Sequence, residues 1–582
     1  MRSSLKKYTH LLSVYLRPYW LQSAMLAVLL LSYIGLQLVN PLLLSNFIDS
    51  ALSGSSLDAL FRLALLFIGV AFATQIVSVI EIYVAENLAW KATNRLRTNV
   101  AQHCLSLDLS FHNEHTPGEL IERIDGDVAA LGNFFSRFVI YLLGNVLLLI
   151  GVLFLLLGIN WHLGLLLLAV CIIGLVLVMS VRNVSVPYWT ASQQARAELF
   201  GFLEEHLSGT EDLRANGAVP YTMRKLYIYS RNVLLRERKA GVLGTATANT
   251  SRLFFTVGTA LAFILIVFLF NGGTITLGTA YLIYRYAEML VRPIEEVNRQ
   301  MQDFQQATAS IGRIQNLLDL HSNIQDGKDG TLPTFGPFSI EFDHVSFAYK
   351  PEEPVLQDLS FFVQPGTILG ILGRTGSGKT TITRLLFRLY DPAAGVIRLG
   401  GVDLRQLPLA ELHRHIGIVT QDVQLFHATI RDNLTFFDPT VPDGQIIQAL
   451  HDVGLGDWYA ALPDGLETRL APGGGGLSAG EAQLLAFTRI FLKNPAIIIL
   501  DEASSRLDPI TEQYIENAIS RLFEQRTALI IAHRLTTVQR ADAILILENG
   551  HIQEYGSREE LVSTPSSHFA QLLRTGLEDT FV

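Results

Sequence analysis

Between Ile368 and Leu389 the chain reads ILGILGRTGSGKTTITRLLFRL, and these residue types together solve one chemical problem, the holding of a polyphosphate. Gly373, Gly378, Lys379 and Thr380 match the spacing G-x-x-x-x-G-K-[ST]. The match lies between a short apolar run that reads as a buried strand and a helix containing Thr380, Thr381, Leu385 and Leu386. Glycines let the backbone curl until successive N–H groups and the positive end of the helix point at phosphate oxygens. Gly373, Arg374, Thr375, Gly376, Ser377, Gly378, Lys379, Thr380 and Thr381 form the candidate cradle. Lys379 would meet the β- and γ-phosphates, and the Thr380 hydroxyl would ligate Mg²⁺.

Other residues have the right chemistry to serve that cradle. Ala496–Glu502, AIIILDE, is a buried strand ending in two carboxylates. Asp501 would hold Mg²⁺ through water, and Glu502 is placed to polarise an attacking water. Gln421 follows the strand-like Ile416–Thr420 and offers an amide to metal and water. His533 follows Thr527–Ala532 and can donate to a γ-phosphate. Tyr349, in SFAYKPEEP, supplies a ring that could stack on a base.

Composition sets the surroundings of this chemistry. The 582 residues are 49% hydrophobic and only 17% charged, with a mean hydropathy of +0.33, which points to a membrane. A formal net charge of −9 argues against nucleic acid as the main partner. The two cysteines, Cys104 and Cys171, lack C-x-x-C spacing, so neither a disulfide framework nor a zinc site is expected. The run Trp20–Leu38 is too long for a signal peptide, and no small-residue cleavage site follows it.

Hydropathy gives six candidate spans: Trp20–Leu44, Leu60–Ile80, Phe134–Leu157, Leu163–Val181, Leu253–Phe270 and Ala280–Val291. The connections 46–58, 158–162 and 271–277 are short and almost free of Lys and Arg, whereas 82–132 and 182–252 are long and basic. The positive-inside rule therefore puts the long segments and both termini in the cytoplasm. Tyr83–Leu105 and Thr190–Leu213 have helical periodicity, so the membrane helices are expected to continue beyond the bilayer. Turns are expected at Ser110–Glu119 and Ser208–Val219. Arg285 and Glu288 fall at membrane depth, with Arg292 at i+4 from Glu288, and should face a cavity. They read either as lining a substrate path or as a structural ion pair between helices. Glu81 and Glu86, near the inner boundary, are expected to be solvated.

The fold expected is an all-α transmembrane domain of six long helices over 1–318, a linker over 319–337, and an α/β P-loop NTPase domain over 338–582. In the last domain, apolar runs at Phe338–Phe347, Thr367–Leu372, Ile416–Val419, Ala496–Leu500, Thr527–Ile531 and Ala543–Leu547 alternate with helices, which predicts a mostly parallel sheet.

Taken together these motifs resemble an ATP-binding cassette (ABC) transporter of exporter architecture, and the resemblance covers essentially the whole chain. Ser505–Asp508, SRLD, is similar to the family's D-loop, and Tyr349 to its adenine-stacking residue. TPGELIERIDGDV at 116–128 and Thr210–Ala218 resemble its two coupling segments, and Leu477–Glu481 occupies its signature position. The resemblance implies ATP and Mg²⁺ as ligands, and a second half-transporter whose signature residues, here Ser478 and Gly480 with Asp508 nearby, complete each ATP site. It further implies a cell-membrane location with the nucleotide-binding domain in the cytoplasm.

The family signature is usually L-S-G-G-Q, whereas Leu477, Ser478, Ala479, Gly480 and Glu481 stand here, preceded by the glycine run Gly473–Gly476. Ala479 adds a Cβ where backbone must approach phosphate, and Glu481 brings a carboxylate near it. A changed signature beside an intact Glu502 and His533 is the half-pattern of an asymmetric heterodimer with one strong and one weak ATP site. A homodimer, an uptake system on the same fold and a nucleotide-gated regulatory subunit are the alternatives. No peptidase-like segment precedes the first span, so leader-peptide processing is not expected, and the cargo is not readable.

Overall fold

The computed structural model describes residues 14–137, 142–328, 330–333, 336–501, 509–532 and 538–575. They gather into two compact units. One runs to Leu105 and resumes over Pro117–Leu320, and the other comprises Ser106–Thr116 and the chain from His321 onward. Ser106–Thr116, a stretch inside the expected 1–318 domain, thus gathers with the second unit.

The first unit is helical: α1 (Trp20–Leu52), α2 (Leu57–Ser106), α3 (Gly144–Ile159), α4 (Trp161–Ser208), α5 (Val219–Asn271), α6 (Leu277–Met289) and α7 (Val291–Leu318). α2, α4 and α5 contain 50, 48 and 53 residues. At about 1.5 Å per residue each is roughly 70–80 Å long, more than twice the apolar thickness of a bilayer. The expected extensions beyond the membrane are therefore single helices, continuous with their apolar parts. Among the described residues three helices are long and apolar enough to cross a membrane, Val14–Leu52, Leu57–Ser106 and Arg252–Asn271, while Gly144–Ile159 and Trp161–Leu177 are shorter apolar helices.

Local chemistry sets the ends. The Asn160 side chain accepts from His162 N and Leu163 N and starts α4 straight after α3. Thr276 caps α6 by accepting from Thr279 N at 3.1 Å. At the far end of α1, Asp49 accepts from Gly278 N at 2.8 Å and from the Thr276 hydroxyl at 2.6 Å, tying α1 to α6. Between α6 and α7 the helix breaks at Leu290, because Pro293 has no N–H to continue the ladder onto the preceding turn. One core joins α1, α3, α4, α5 and α6 through residues such as Ile34, Val152, Leu163, Ile266 and Ile283. α2 packs against α1 separately, through Ala85, Leu88 and Ala89 around Leu26. Cys104 and Cys171 are free and buried.

Farther along this unit a buried carboxylate is paired with a half-exposed guanidinium. Asp127 is 2% exposed, and both its oxygens are taken, by Arg313 Nε at 2.8 Å and by the Ser310 hydroxyl at 2.8 Å. The Asp127 carboxylate in turn lifts the Arg313 guanidinium above its ordinary pKa.

The second unit is built on two sheets. One has the order β2-β1-β4-β5 and comprises β1 (Ile340–Lys350), β2 (Glu353–Val363), β4 (Ala394–Leu399) and β5 (Val402–Asp403), all antiparallel. The other has the order β10-β9-β3-β8-β7-β6. It contains β3 (Ile368–Gly373), β6 (Ile416–Val419), β7 (Ile497–Asp501), β8 (Thr527–Ile531) and β9 (Ala543–Glu548), parallel to one another, with β10 (His551–Ser557) antiparallel at the edge. The expected mostly parallel sheet is present, and of the antiparallel sheet only β1 coincides with an apolar run expected as a strand.

The parallel strands are apolar throughout because both faces are covered. Along β7, Ile498 and Leu500 enter one core while Ile497 and Ile499 enter the other, and β8 and β9 divide in the same alternating way. Ile499→Ala should therefore destabilise the protein by about 2–5 kcal/mol, the range for emptying a filled core position. Thermal unfolding followed by tryptophan fluorescence measures this, and an unchanged midpoint would contradict a β7 covered on both faces.

Candidate nucleotide site

The parallel sheet brings the candidate residues together. Register pairs Ile371 of β3 with Ile531 of β8, and Ile531 with Asp501 of β7. The loop after β3, the residue after β8 and the carboxylate ending β7 thus leave the sheet at one edge, the edge at which such folds bind ligands. Val419 of β6 pairs with Leu500, so Gln421 emerges at the same edge, where it is exposed. Glu502, Ser505–Asp508 and His533 lie outside the described residues.

The loop Gly373–Gly378 leads directly into α8 (Lys379–Leu386), whose N-cap is Gly378. Gly378 has φ +106°, and a Cβ on it would stand 2.4 Å from Leu356 Cδ2. Only glycine fits this bend, so the cradle is shaped by its backbone. Arg374, Thr375 and Gly376 are exposed at the rim, and Ser377 is buried with its Oγ making no hydrogen bond. The Lys379 ammonium is folded onto the loop, donating to Gly373 O at 2.6 Å and Arg374 O at 3.0 Å. Thr380 is exposed beside it. A backbone ring with an inward lysine, an exposed threonine and an unpaired buried hydroxyl fits a polyphosphate with a divalent ion.

Tyr349, on β1, belongs to a cluster the sequence did not suggest. Its hydroxyl lies 3.1 Å from Thr381 Oγ1 and accepts from Arg384 Nη1 at 3.1 Å. Phe347 and Tyr390 meet its ring edge-on at 5.0 and 5.2 Å. Asn113 in turn donates to the Tyr390 hydroxyl at 2.7 Å, joining the stretch that gathers with this unit to the aromatic cluster. Arg384 could have been found from spacing, since it follows Thr381 by three residues on one helix face.

Ser478–Glu481 begins α9 (Ala479–Lys493). Ser478 N donates to Glu481 Oε2 at 2.7 Å, and Glu481 N donates to Ser478 Oγ at 3.1 Å, a reciprocal capping box. Gly480 is buried, and a Cβ there would meet Thr511 Cγ2 at 2.3 Å. α9 is fastened to the Gln421 segment: Gln483 donates to Thr420 O at 3.4 Å and Arg489 to Gln424 O at 3.0 Å. Burial lowers the Arg489 guanidinium below its ordinary pKa. This fastening puts the start of α9 beside β6, which β7 and β8 separate from β3. Three strand spacings come to about 14 Å. The register therefore brings Gly373–Thr381, Asp501 and Gln421 to one edge of the sheet, and Ser478 and Gly480 open a helix fastened to the segment around Gln421.

The membrane unit places the remaining candidates. Arg285 is ion-paired with Glu288, three residues on, and the side chain of Arg292 lies outside the described residues. Both line a cavity of about 740 Å³ bounded by α1, α2, α3, α6 and the start of α7. Glu81 lines it too and is 1% exposed. That corrects the expectation of a solvated carboxylate, while Glu86 is exposed as expected. Thr74, Ser78 and Glu81 recur at four- and three-residue spacing on one face of α2, and that face turns inward.

A helical membrane unit followed by an ATPase-type sheet with a phosphate loop defines an ATP-driven membrane machine. Residues 24–294 match the ABC transporter transmembrane region, and residues 356–505 match the ABC transporter family's second model, described as ABC transporter. The chain is 30% identical to an ATP-dependent lipid A-core flippase of Legionella pneumophila, with 97% of this chain and 96% of that one covered. It is 32% identical to a fatty acid ABC transporter ATP-binding/permease protein of Mycobacterium tuberculosis, covering 81% and 75%. A solved bacterial Atm1-family ABC exporter with ATP bound superposes with a TM-score of 0.82 at 25% identity, over 96% of this chain and 98% of that one. The chain belongs to the ABC transporter family, as an exporter-type half-transporter that couples ATP hydrolysis to transport across a membrane.

Gly378→Ala should weaken Mg·ATP binding at least tenfold, by about 1–2 kcal/mol of left-handed strain plus the clash with Leu356. Titration with a fluorescent ATP analogue reads this, and wild-type affinity would refute a cradle shaped by Gly378.

Proposed function

We propose that this chain is one half of a heterodimeric exporter of the cell membrane, with its nucleotide-binding domain in the cytoplasm. Its own phosphate loop and the partner's signature segment form the strong ATP site. The carrying observation is the start of α9: Ser478 and Gly480 open a helix fastened on the β6 side of the sheet, to Thr420 and Gln424, and Glu481 caps that helix end. A signature so placed serves another subunit's nucleotide. Relatives named for lipid A-core and fatty acid favour an amphiphilic cargo.

In the strong site Gly373–Thr381 bind the phosphates, with Lys379 withdrawn from its two carbonyls to meet them, and Tyr349 stacks on the adenine. Thr380, Gln421 and Asp501 would hold Mg²⁺, which neutralises charge on the phosphates. Glu502 orients the attacking water and takes its proton as the bond to the γ-phosphorus forms and the bridging β–γ bond breaks. His533 donates to the γ-phosphate oxygens, and Asp508 contributes across the dimer. Binding closes the two domains, and the segments near 110–119 and 208–219 carry the motion to the membrane helices. The bond from Asn113 to Tyr390, which meets Tyr349, supports the first of these links. The cavity holding Arg285 and Glu288 is the substrate path, open alternately to each side.

In the weak site the Glu481 carboxylate occupies the helix end that should face the partner's γ-phosphate, and like charges repel there. Two outcomes follow for the purified pair. Glu502→Gln should cut ATP turnover about 100-fold or more and leave ATP bound, since it removes a catalytic base. Near-normal hydrolysis would take Glu502 out of that role. Glu481→Gln retains an acceptor for Ser478 N without the charge, and should raise ATP occupancy of the weak site about three- to tenfold, up to about 1.4 kcal/mol. Unchanged retention of labelled nucleotide would contradict repulsion by Glu481.

A further inference from the structure

The cavity between α1, α2, α3, α6 and the start of α7, where Glu296 adds a further carboxylate, carries chemistry that transport alone does not explain. Among its described lining residues the one cation is Arg285, and Glu288 is already its partner. Glu81 has no such partner: it is 1% exposed, and its Oε1 makes no hydrogen bond. Asn40 Oδ1, in the same wall, is likewise buried and without a donor. Gln37, nearby on α1, donates to the Tyr33 hydroxyl at 2.6 Å. The Thr74 hydroxyl, about two helical turns from Glu81, is spent on its own helix, donating to Val70 O at 2.7 Å.

Buried acceptors without donors are costly, and a carboxyl group among membrane helices is the costliest kind. Where such a group lines a cavity, a ligand able to donate to it removes that cost. The cavity therefore asks for positive charge and N–H donors, and an anionic head group would meet Glu81 with none of the described lining cations free to offset it. Tyr33 and Tyr281 add rings suited to a cation, and Ile34 and Leu148 offer apolar surface to the rest of the molecule.

We propose that this cavity takes an amphiphile bearing a protonated amine, with Glu81 as the counter-ion of its head group. The inference rests on the reading of this cavity as the substrate path, and narrows the cargo from amphiphiles in general to cationic ones.

The test uses three water-soluble isosteres, 4-phenylbutylamine, 4-phenylbutanol and 4-phenylbutyrate, titrated calorimetrically into the full chain in lipid nanodiscs without nucleotide. The amine should bind at least tenfold more tightly than the alcohol or the acid. Glu81→Gln should abolish that preference, and Glu81→Asp should keep it. Equal binding of the three, tightest binding of the acid, or a preference that survives Glu81→Gln would overturn the proposal. The comparison of isosteres on the unaltered chain stands even if a variant does not fold. Because no ATP is present, a failure here is distinct from a failure of ATP-driven transport in vesicles, which would overturn the transport reading while leaving amine selectivity intact.

Discussion

A polyphosphate in water is heavily hydrated, and a protein can take it up only by setting fixed dipoles where the water was. In this chain that requirement falls on the register of parallel strands. Because Ile371, Ile531 and Asp501 lie level across β3, β8 and β7, loops that are distant in sequence leave the sheet at one edge. The alternation of side chains into two separate cores holds the strands in that register, since a slip of one residue would exchange the cores. Packing thus fixes the electrostatics, and the glycine bend at Gly378 aims the backbone at the ligand.

The signature end of α9 shows the same physics used in the opposite sense. A helix N-terminus attracts negative charge whatever its source. Glu481 supplies that charge from within the chain, through a capping box in which its carboxylate accepts from Ser478 N while Ser478 Oγ accepts from Glu481 N. The arrangement stabilises α9 and holds Gly480 tight against Thr511. In the proposed heterodimer, the carboxylate that favours the isolated helix would oppose a phosphate arriving from another subunit.

Much of the nucleotide-binding unit was legible because its determinants are local. The phosphate loop, the strand before it and the carboxylate ending β7 are each read from a few consecutive residues. The antiparallel sheet was not legible in full: EPVLQDLSFFV mixes polar and apolar residues irregularly, and β5 is only two residues long. Its strands are fixed by pairing with β1 rather than by their own pattern. The capping box was legible as Ser478-x-x-Glu481, yet comparison with a family signature drew attention to what Glu481 departs from and away from what it bonds. The Tyr349 cluster depends on contacts between segments far apart in sequence, which no local pattern carries.

In the membrane unit the divide between legible and hidden is geometric. Hydropathy reports how deep a residue lies along a helix, but says little about the direction in which it points. Depth alone placed Glu81 near a boundary and suggested water. Azimuth decides otherwise, because Thr74, Ser78 and Glu81 share one face of α2, the face that closes on α1 and α6. The same unbroken helix continues from Glu81 to Ser106, about 38 Å at 1.5 Å per residue. From Ser106 the chain passes into the ATP-binding unit. That one helix therefore joins the wall holding Glu81 to the stretch that gathers with the ATP-binding unit.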